Sequence, residues 1–177
     1  KELKEVKKTD IYFLRTLKIL KNEGLSDVEV HAEFTVSSMP YKWAVLGGLR
    51  DVAKLLEGLP INVDAFPEGS VFFKKDYYGV KIPIMTITGP YGSFLIYETP
   101  ILGFLAKGSG VATKAARIKK LAKDKIVLSF GARRTHPAIS PFVGYYAYIG
   151  GCDGVSCVKA AEMLGIKPSG TMPHSLI

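Results

Sequence analysis

Lys125-Ile126-Val127-Leu128-Ser129 runs directly into Phe130-Gly131-Ala132-Arg133-Arg134-Thr135-His136-Pro137. A β-branched apolar run that gives way to a glycine turn and then to a helix-opening proline is a strand end followed by a loop and a helix. Two adjacent guanidiniums and an imidazole at such a place suit a phosphorylated or carboxylate-bearing substrate, because arginine holds these anions with two parallel hydrogen bonds. Gly131 lets the backbone approach a ligand that a Cβ would exclude, and Phe130 offers a flat face to an aromatic ring. The same residues also read as a basic surface loop capping a helix, and on this segment alone both readings stand.

Downstream the pattern repeats. After the strand at 126–130 and a helix at 137–148, the run Ile149-Gly150-Gly151-Cys152-Asp153 reads as a second short strand, 156–164 as a helix, and 168–172 as the start of a third strand. Strands and helices alternating at this spacing predict parallel strands joined by right-handed crossovers, with ligands at the carboxyl ends of the strands. Those ends would carry Phe130 to Arg134, Gly151-Cys152-Asp153 and Gly170-Thr171-Met172-Pro173-His174-Ser175. Two arginines, a carboxylate, hydroxyls and a histidine are thereby expected on one rim, a convergence that structure alone does not require.

Upstream the pattern differs. Ile11, Phe13, Leu14, Leu17 and Leu20 lie at helical spacing, with Gly24 placed to end the helix, and residues 28–36 alternate apolar and polar as a half-buried strand with His31 on its solvent side. A turn at 37–40, a strand at 41–46, a helix at 49–56 closed by Gly58, and strands at 61–66, 70–73 and 80–87 complete an α+β domain, residues 1–88, with a mainly antiparallel sheet. Gly47-Gly48 ahead of the second helix is compatible with a phosphate cradle, but a lone glycine pair better fits a tight turn. Residues 89–124 read as a helical connection, two helices at 93–107 and 111–122 interrupted by Gly108-Ser109-Gly110, with Thr99-Pro100 resembling an N-cap followed by a first-turn proline. Residues 125–177 are then the beginning of the parallel α/β part.

The chain of 177 residues is 47% hydrophobic and 23% charged, which suits a folded protein rather than a disordered or fibrous one. No apolar run approaches the roughly 20 residues of a membrane span, and the lysine-rich start lacks the apolar core of a signal peptide, so the expected location is cytoplasmic. Cys152 and Cys157 are wrongly spaced for a metal cluster or a disulfide framework and read as buried reduced thiols. The net charge of +8 points to anionic partners. The lysines, however, mingle with apolar residues at helical spacing and lack interleaved stacking aromatics, which argues against a nucleic-acid surface.

Thr9-Asp10-Ile11-Tyr12, Gly89-Pro90-Tyr91, Tyr97-Glu98-Thr99, Phe130-Gly131-Ala132-Arg133-Arg134, Gly150-Gly151-Cys152-Asp153-Gly154 and Gly170-Thr171-Met172-Pro173-His174-Ser175 together closely resemble nicotinate phosphoribosyltransferase. The resemblance covers nearly the whole chain in order. It implies an α/β fold in which an N-terminal α+β domain with a mainly antiparallel sheet is followed by the first part of an irregular, TIM-like α/β barrel. It also implies joining of nicotinate to 5-phosphoribosyl 1-pyrophosphate in NAD biosynthesis, giving nicotinate mononucleotide and pyrophosphate, with Mg²⁺ on the pyrophosphate and ATP hydrolysis coupled to turnover.

By the same resemblance, Phe130 stacks on the pyridine ring and Arg133, beside Arg134, holds substrate or phosphate. Tyr12 reaches the other face of the ring from a neighbouring subunit, which implies a homodimer or larger assembly with shared sites. Asp153 lies near ring and ribose, Thr171 or Ser175 supplies a hydroxyl, and His174 is phosphorylated from ATP. The catalytic residues implied are His174, Arg133 and Asp153, with no protein metal ligands. The chain ends after three expected barrel strands, before the loops that bind the remaining phosphates, so this stretch alone is expected to be inactive. A nicotinamide- or quinolinate-specific relative and a catalytically silent basic binding domain of the same fold are the alternatives; tandem Arg133-Arg134 favours a ring that bears a carboxylate.

Overall fold

The computed structural model describes residues 5–176. The chain divides into two compact units, one running to Lys107 and the other beginning at Gly108.

The first unit opens with α1 (Ile11–Asn22), which buries Phe13 and ends where Gly24 takes a φ of +68°. β1 (Glu29–Thr35) follows with alternating burial. Next come β2 (Ala44–Val45), α2 (Leu49–Leu56), β3 (Asn62–Ala65), β4 (Val71–Phe72) and β5 (Pro83–Pro90). β5 is the middle strand of an antiparallel sheet of order β1-β5-β3, while β2 and β4 form a separate antiparallel pair. The expected antiparallel α+β unit is therefore present, although its 41–46 strand is cut to two residues outside the main sheet.

Register explains the sheet's two faces. Ala32, Ile87 and Val63 align across the three strands, as do Phe34, Met85 and Ala65; on this side Ala32, Phe34, Met85 and Ile87 pack into a core with Leu46, Val52, Leu55, Leu56, Phe94 and Ile101, while Val63 and Ala65 of the outer strand β3 stay exposed. A one-residue slip would turn this apolar set to the other face. The intervening residues Glu29, His31 and Glu33 are exposed, and His31 Nδ1 hydrogen-bonds the cross-strand Thr88 Oγ1 at 2.8 Å.

A short α3 (Tyr91–Phe94) and a 3-10 turn at Leu95–Tyr97 lead into α4 (Glu98–Ala122). α4 is unbroken through Gly108-Ser109-Gly110, where the sequence predicts an interruption. Each glycine costs a helix about 1 kcal/mol relative to alanine. Burial of Ile101 and Leu105 before the glycines, and of Ala112 and Ala115 after them, holds helical backbone on both sides.

In the second unit β6 (Leu128–Ser129) is followed by α5 (Ser140–Ile149), β7 (Gly154–Val155) and α6 (Val158–Leu164). β6 and β7 are parallel, with Leu128 opposite Gly154 and Ser129 opposite Val155. Small residues bring the elements together: a Cβ on Gly144 would lie 2.7 Å from that of Ala160, and one on Gly150 would lie 2.2 Å from the carbonyl oxygen of Ala112.

Two strand expectations are corrected here. Residues 149–153 do not form a strand: α5 extends to Ile149, and Gly150-Gly151 close it as Gly151 N–H donates to Tyr148 O and Cys152 N–H to Ala147 O, with Gly151 at φ +101°. This paired-bond helix ending consumes the glycines and moves the strand to 154–155. Residues 168–172 likewise form no strand. They are tied to β7 by one bond, Ser169 N–H to Val155 O at 2.8 Å, and Pro168 and Pro173 bring no donors for a ladder. Among the described residues the parallel sheet has two strands where the sequence predicts three.

Candidate functional site

At the carboxyl end of β6 the chain passes through Phe130, 48% exposed, into a 3-10 turn at Ala132–Arg134. Gly131 O anchors that turn by accepting from Arg134 N–H at 3.0 Å and from the Thr135 hydroxyl at 3.3 Å. Arg133 and Arg134 are exposed, and neither guanidinium makes a hydrogen bond or ion pair among the described residues. Two unpaired cations thus stand on a fixed backbone beside an aromatic face, able to receive an anion without first breaking an internal pair. His136 serves the backbone instead: its Nδ1 accepts from Ala138 N–H at 3.2 Å, and its carbonyl oxygen accepts from Ile139 and Ser140 N–H as the chain enters α5.

Asp153 is placed differently from expectation. Because β7 begins at Gly154, Asp153 stands at the amino end of its strand, the edge opposite to Phe130 and the arginines in this parallel pair. Its Oδ2 accepts from Lys119 Nζ at 2.6 Å and from Val127 N–H at 2.8 Å, and its own N–H donates to Val127 O. The hydrogen bond from Lys119, then that from Val127, holds its carboxyl below the usual carboxylate range. An ionised group committed to tying α4 and β6 to β7 is a structural anchor of the second unit. Cys152 beside it is buried and its thiol is pushed up, first by burial and then by the Asp153 charge; Cys157 is half-buried, and both are free.

Thr171, His174 and Ser175 are exposed, with His174 opening a 3-10 turn at His174–Leu176. No hydrogen bond or ion pair among the described residues joins them to Arg133 or Arg134.

Tyr12 belongs to the first unit, on the first turn of α1, 54% exposed and with its ring centroid 4.2 Å from that of Phe13. Partial desolvation, then the negative charges of Glu98 and Asp10, push its phenol up. Burial does the same to the Glu98 carboxyl.

Two other places fail as anion sites. The N-terminus of α2 is already filled, since the Glu68 carboxylate accepts from Gly48 N–H at 2.9 Å and from Arg50 N–H at 2.8 Å. A protein carboxylate there satisfies the orphan donors that a phosphate would otherwise take. An open groove of about 470 Å³ between α2 and β3 is lined mainly by Val52, Leu56, Leu59, Ile61 and Val63, without convergent polar groups. Among the described residues there is no cluster of three or more His, Cys, Asp or Glu side chains that could hold a metal ion.

Sequence reading missed three arrangements: Glu68 on Gly48, Lys119 on Asp153, and the Thr99 hydroxyl that donates to the Asp10 carboxylate at 2.9 Å. The partners stand 20, 34 and 89 residues apart, beyond any local pattern.

Residues 10–109 match the family model of the quinolinate phosphoribosyl transferase N-terminal domain, and residues 111–176 match that of its C-terminal domain. Nicotinate phosphoribosyltransferase 2 of Arabidopsis thaliana is 36% identical over 166 residues, covering 91% of this chain and 27% of that protein. A Caenorhabditis elegans nicotinate phosphoribosyltransferase is 40% identical over 124 residues, covering 69% of this chain and 21% of its own length. Among solved structures, a nicotinate-nucleotide pyrophosphorylase from Pyrococcus furiosus superposes with a TM-score of 0.90 at 51% identity, covering 99% of this chain and 44% of that one. Human nicotinic acid phosphoribosyltransferase gives 0.82 at 26% identity, with 94% and 39% covered. The chain thus spans less than half of each of these relatives.

Proposed function

Because the chain belongs to the quinolinate phosphoribosyl transferase family, we propose that it is part of a nicotinate phosphoribosyltransferase of NAD biosynthesis. The enzyme would join nicotinate to 5-phosphoribosyl 1-pyrophosphate, releasing pyrophosphate and giving nicotinate mononucleotide. The observation that carries the reading is the pair of unpartnered guanidiniums at Arg133 and Arg134 next to exposed Phe130, on a backbone locked by the Gly131 carbonyl. A flat apolar face beside cations is the complement of an aromatic carboxylate. The names of the curated relatives support the choice of nicotinate.

In this reading Phe130 stacks on the pyridine ring, Arg133 holds a carboxylate or phosphate, and Arg134 supplies further positive charge. Tyr12 closes the other face of the ring from a second subunit, making the working form a cytoplasmic homodimer or larger assembly. Thr171 and Ser175 offer hydroxyls. Making a C–N bond through a cation-like ribosyl state asks for positioning and charge stabilisation more than for strong acids or bases. Mg²⁺ would enter on the pyrophosphate oxygens, in keeping with an ion that prefers substrate phosphates and water to protein cages. Asp153, engaged with Lys119, would act by holding the second unit together rather than by touching the ring.

The test is the full-length protein supplied with phosphoribosyl pyrophosphate, Mg²⁺, ATP and either nicotinate, nicotinamide or quinolinate. Nicotinate mononucleotide should form fastest from nicotinate. A preference for quinolinate, towards which the names of the matched family models point, would replace this reading with the quinolinate-specific one. Salt-sensitive retention on nucleic acid without any transfer would identify a silent basic binding domain.

ATP coupling is assigned to His174. A neutral imidazole is a competent nucleophile towards the γ-phosphorus: the new N–P bond forms as the bond to ADP breaks, and ADP leaves. The phosphate adds negative charge to an exposed segment, which can then be ordered against arginine. Labelled ATP should leave an acid-labile, base-stable phosphate on the full-length enzyme, and His174→Ala should lose both the label and the stimulation by ATP while keeping slow transfer. Undiminished labelling in His174→Ala would remove the residue from the mechanism.

A further inference from the structure

Asp10 occupies the N-cap position of α1, where an aspartate ordinarily accepts from the free N–H groups of the first turn, yet its side chain makes no such bond. Its Oδ2 instead accepts from the Thr99 hydroxyl at 2.9 Å, and its backbone N–H donates back to Thr99 Oγ1 at 3.1 Å. The Thr9 hydroxyl adds a longer contact of 3.4 Å to the same oxygen. Thr99 is equally diverted: the Thr99-Pro100 pair resembles a cap in the sequence, but α4 begins at Glu98 and the hydroxyl leaves its own helix for α1. Two cap-type side chains have been taken from their local roles and spent on each other.

The joint has a rigid side. Tyr97 is buried in the core immediately before Glu98, so Thr99 projects from a fixed turn. On the other side Phe13 is 4% exposed while Tyr12, next to it, is 54% exposed. The phenol of Tyr12 lies within reach of the charges on Glu98 and Asp10 and of Tyr91. A buried Phe13 below and a reciprocal pair one turn earlier leave the first turn of α1 little freedom to rotate, and rotation is what would swing Tyr12 away.

We propose that Thr99 and Asp10 form a positioning joint that aims Tyr12 at the pyridine ring, so that Thr99, remote in sequence and touching no substrate, sets the affinity for the ring-bearing substrate. The inference rests on the reading that Tyr12 faces the ring, and the experiment separates the two. In the full-length enzyme, Thr99→Val, Thr99→Ser, Asp10→Ala, the Thr99→Val/Asp10→Ala double variant and Tyr12→Ala are compared for KM of nicotinate, KM of phosphoribosyl pyrophosphate, kcat and Tm. Loss of a hydrogen bond's net effect on aim predicts a rise of roughly 3- to 10-fold in KM for nicotinate in Thr99→Val. KM for phosphoribosyl pyrophosphate should stay unchanged, Thr99→Ser should restore the wild-type value, and the double variant should be no worse than either single change. If Tyr12→Ala raises KM for nicotinate and Thr99→Val does not, the joint is refuted while the role of Tyr12 stands. Additive effects of Asp10→Ala and Thr99→Val, or a fall in kcat and Tm with both KM values altered alike, would reduce the pair to a structural contact. An unaltered KM in Tyr12→Ala would overturn the ring reading and the joint with it.

Discussion

Arg133→Ala in the full-length enzyme is expected to lower nicotinate transfer by a factor on the order of 100 or more. In the proposed dimer, bound substrate and the neighbouring Tyr12 would exclude water from Arg133, and losing a charge-assisted, two-pronged contact there costs roughly 2 to 4 kcal/mol. The guanidinium makes no internal hydrogen bond or ion pair among the described residues, so stability should change by no more than about 0.5 kcal/mol. Activity and folding are therefore expected to separate cleanly, which a measurement of kcat/KM beside a melting curve will show. The same variant tests the sharing of sites. Mixed with the Tyr12→Ala protein, it should regain part of the activity after subunit exchange, because one hybrid site then carries both intact residues. Wild-type kinetics in Arg133→Ala would return the Phe130 to Pro137 stretch to an ordinary basic loop.

The parts of the fold legible in the sequence are those whose signal is local. The alternation of residues 28–36 gave β1 and its faces because the period of two is a property of the strand itself. Gly24 and Gly58 marked helix ends for a similarly local reason, a positive φ of +68° and +86° that glycine adopts without strain. Where glycines depart from their local signal, tertiary contacts decide. Gly108 and Gly110 remain inside α4 because burial on both sides outweighs their propensity. Gly150-Gly151 terminate α5 rather than forming a strand, because Gly150 must pass against the Ala112 carbonyl. That one shift carries Asp153 from the carboxyl edge to the amino edge of β7. The Phe130 to Arg134 stretch was legible as an exposed aromatic followed by two exposed cations, since residue types and the turn signal alone express it. The Lys119–Asp153 pair was invisible because its members are far apart in the chain.

Gly48→Ala is expected to destabilise the first unit by several kcal/mol. Two costs combine. At a φ of +101°, an alanine is strained by roughly 1–3 kcal/mol. Its Cβ would also lie 2.2 Å from the carbonyl oxygen and 2.5 Å from the carbonyl carbon of Phe104, both backbone atoms of α4. A flexible side chain could yield to such a contact, but a helix backbone flanked by buried Ile101 and Leu105 cannot move without disturbing the core, and overpacking of this kind costs about 1–3 kcal/mol more. Gly58→Ala is the control: its φ is +86°, yet nothing lies within 4 Å of the added carbon, so it should show the conformational cost alone. In urea titrations of the full-length protein, the first transition to involve this unit should move to markedly lower denaturant in Gly48→Ala than in Gly58→Ala. Equal shifts would mean that the approach of α2 to α4 is soft. The glycine ahead of α2 would then need another explanation, and since Glu68 already occupies that helix N-terminus, a bound phosphate could not supply it.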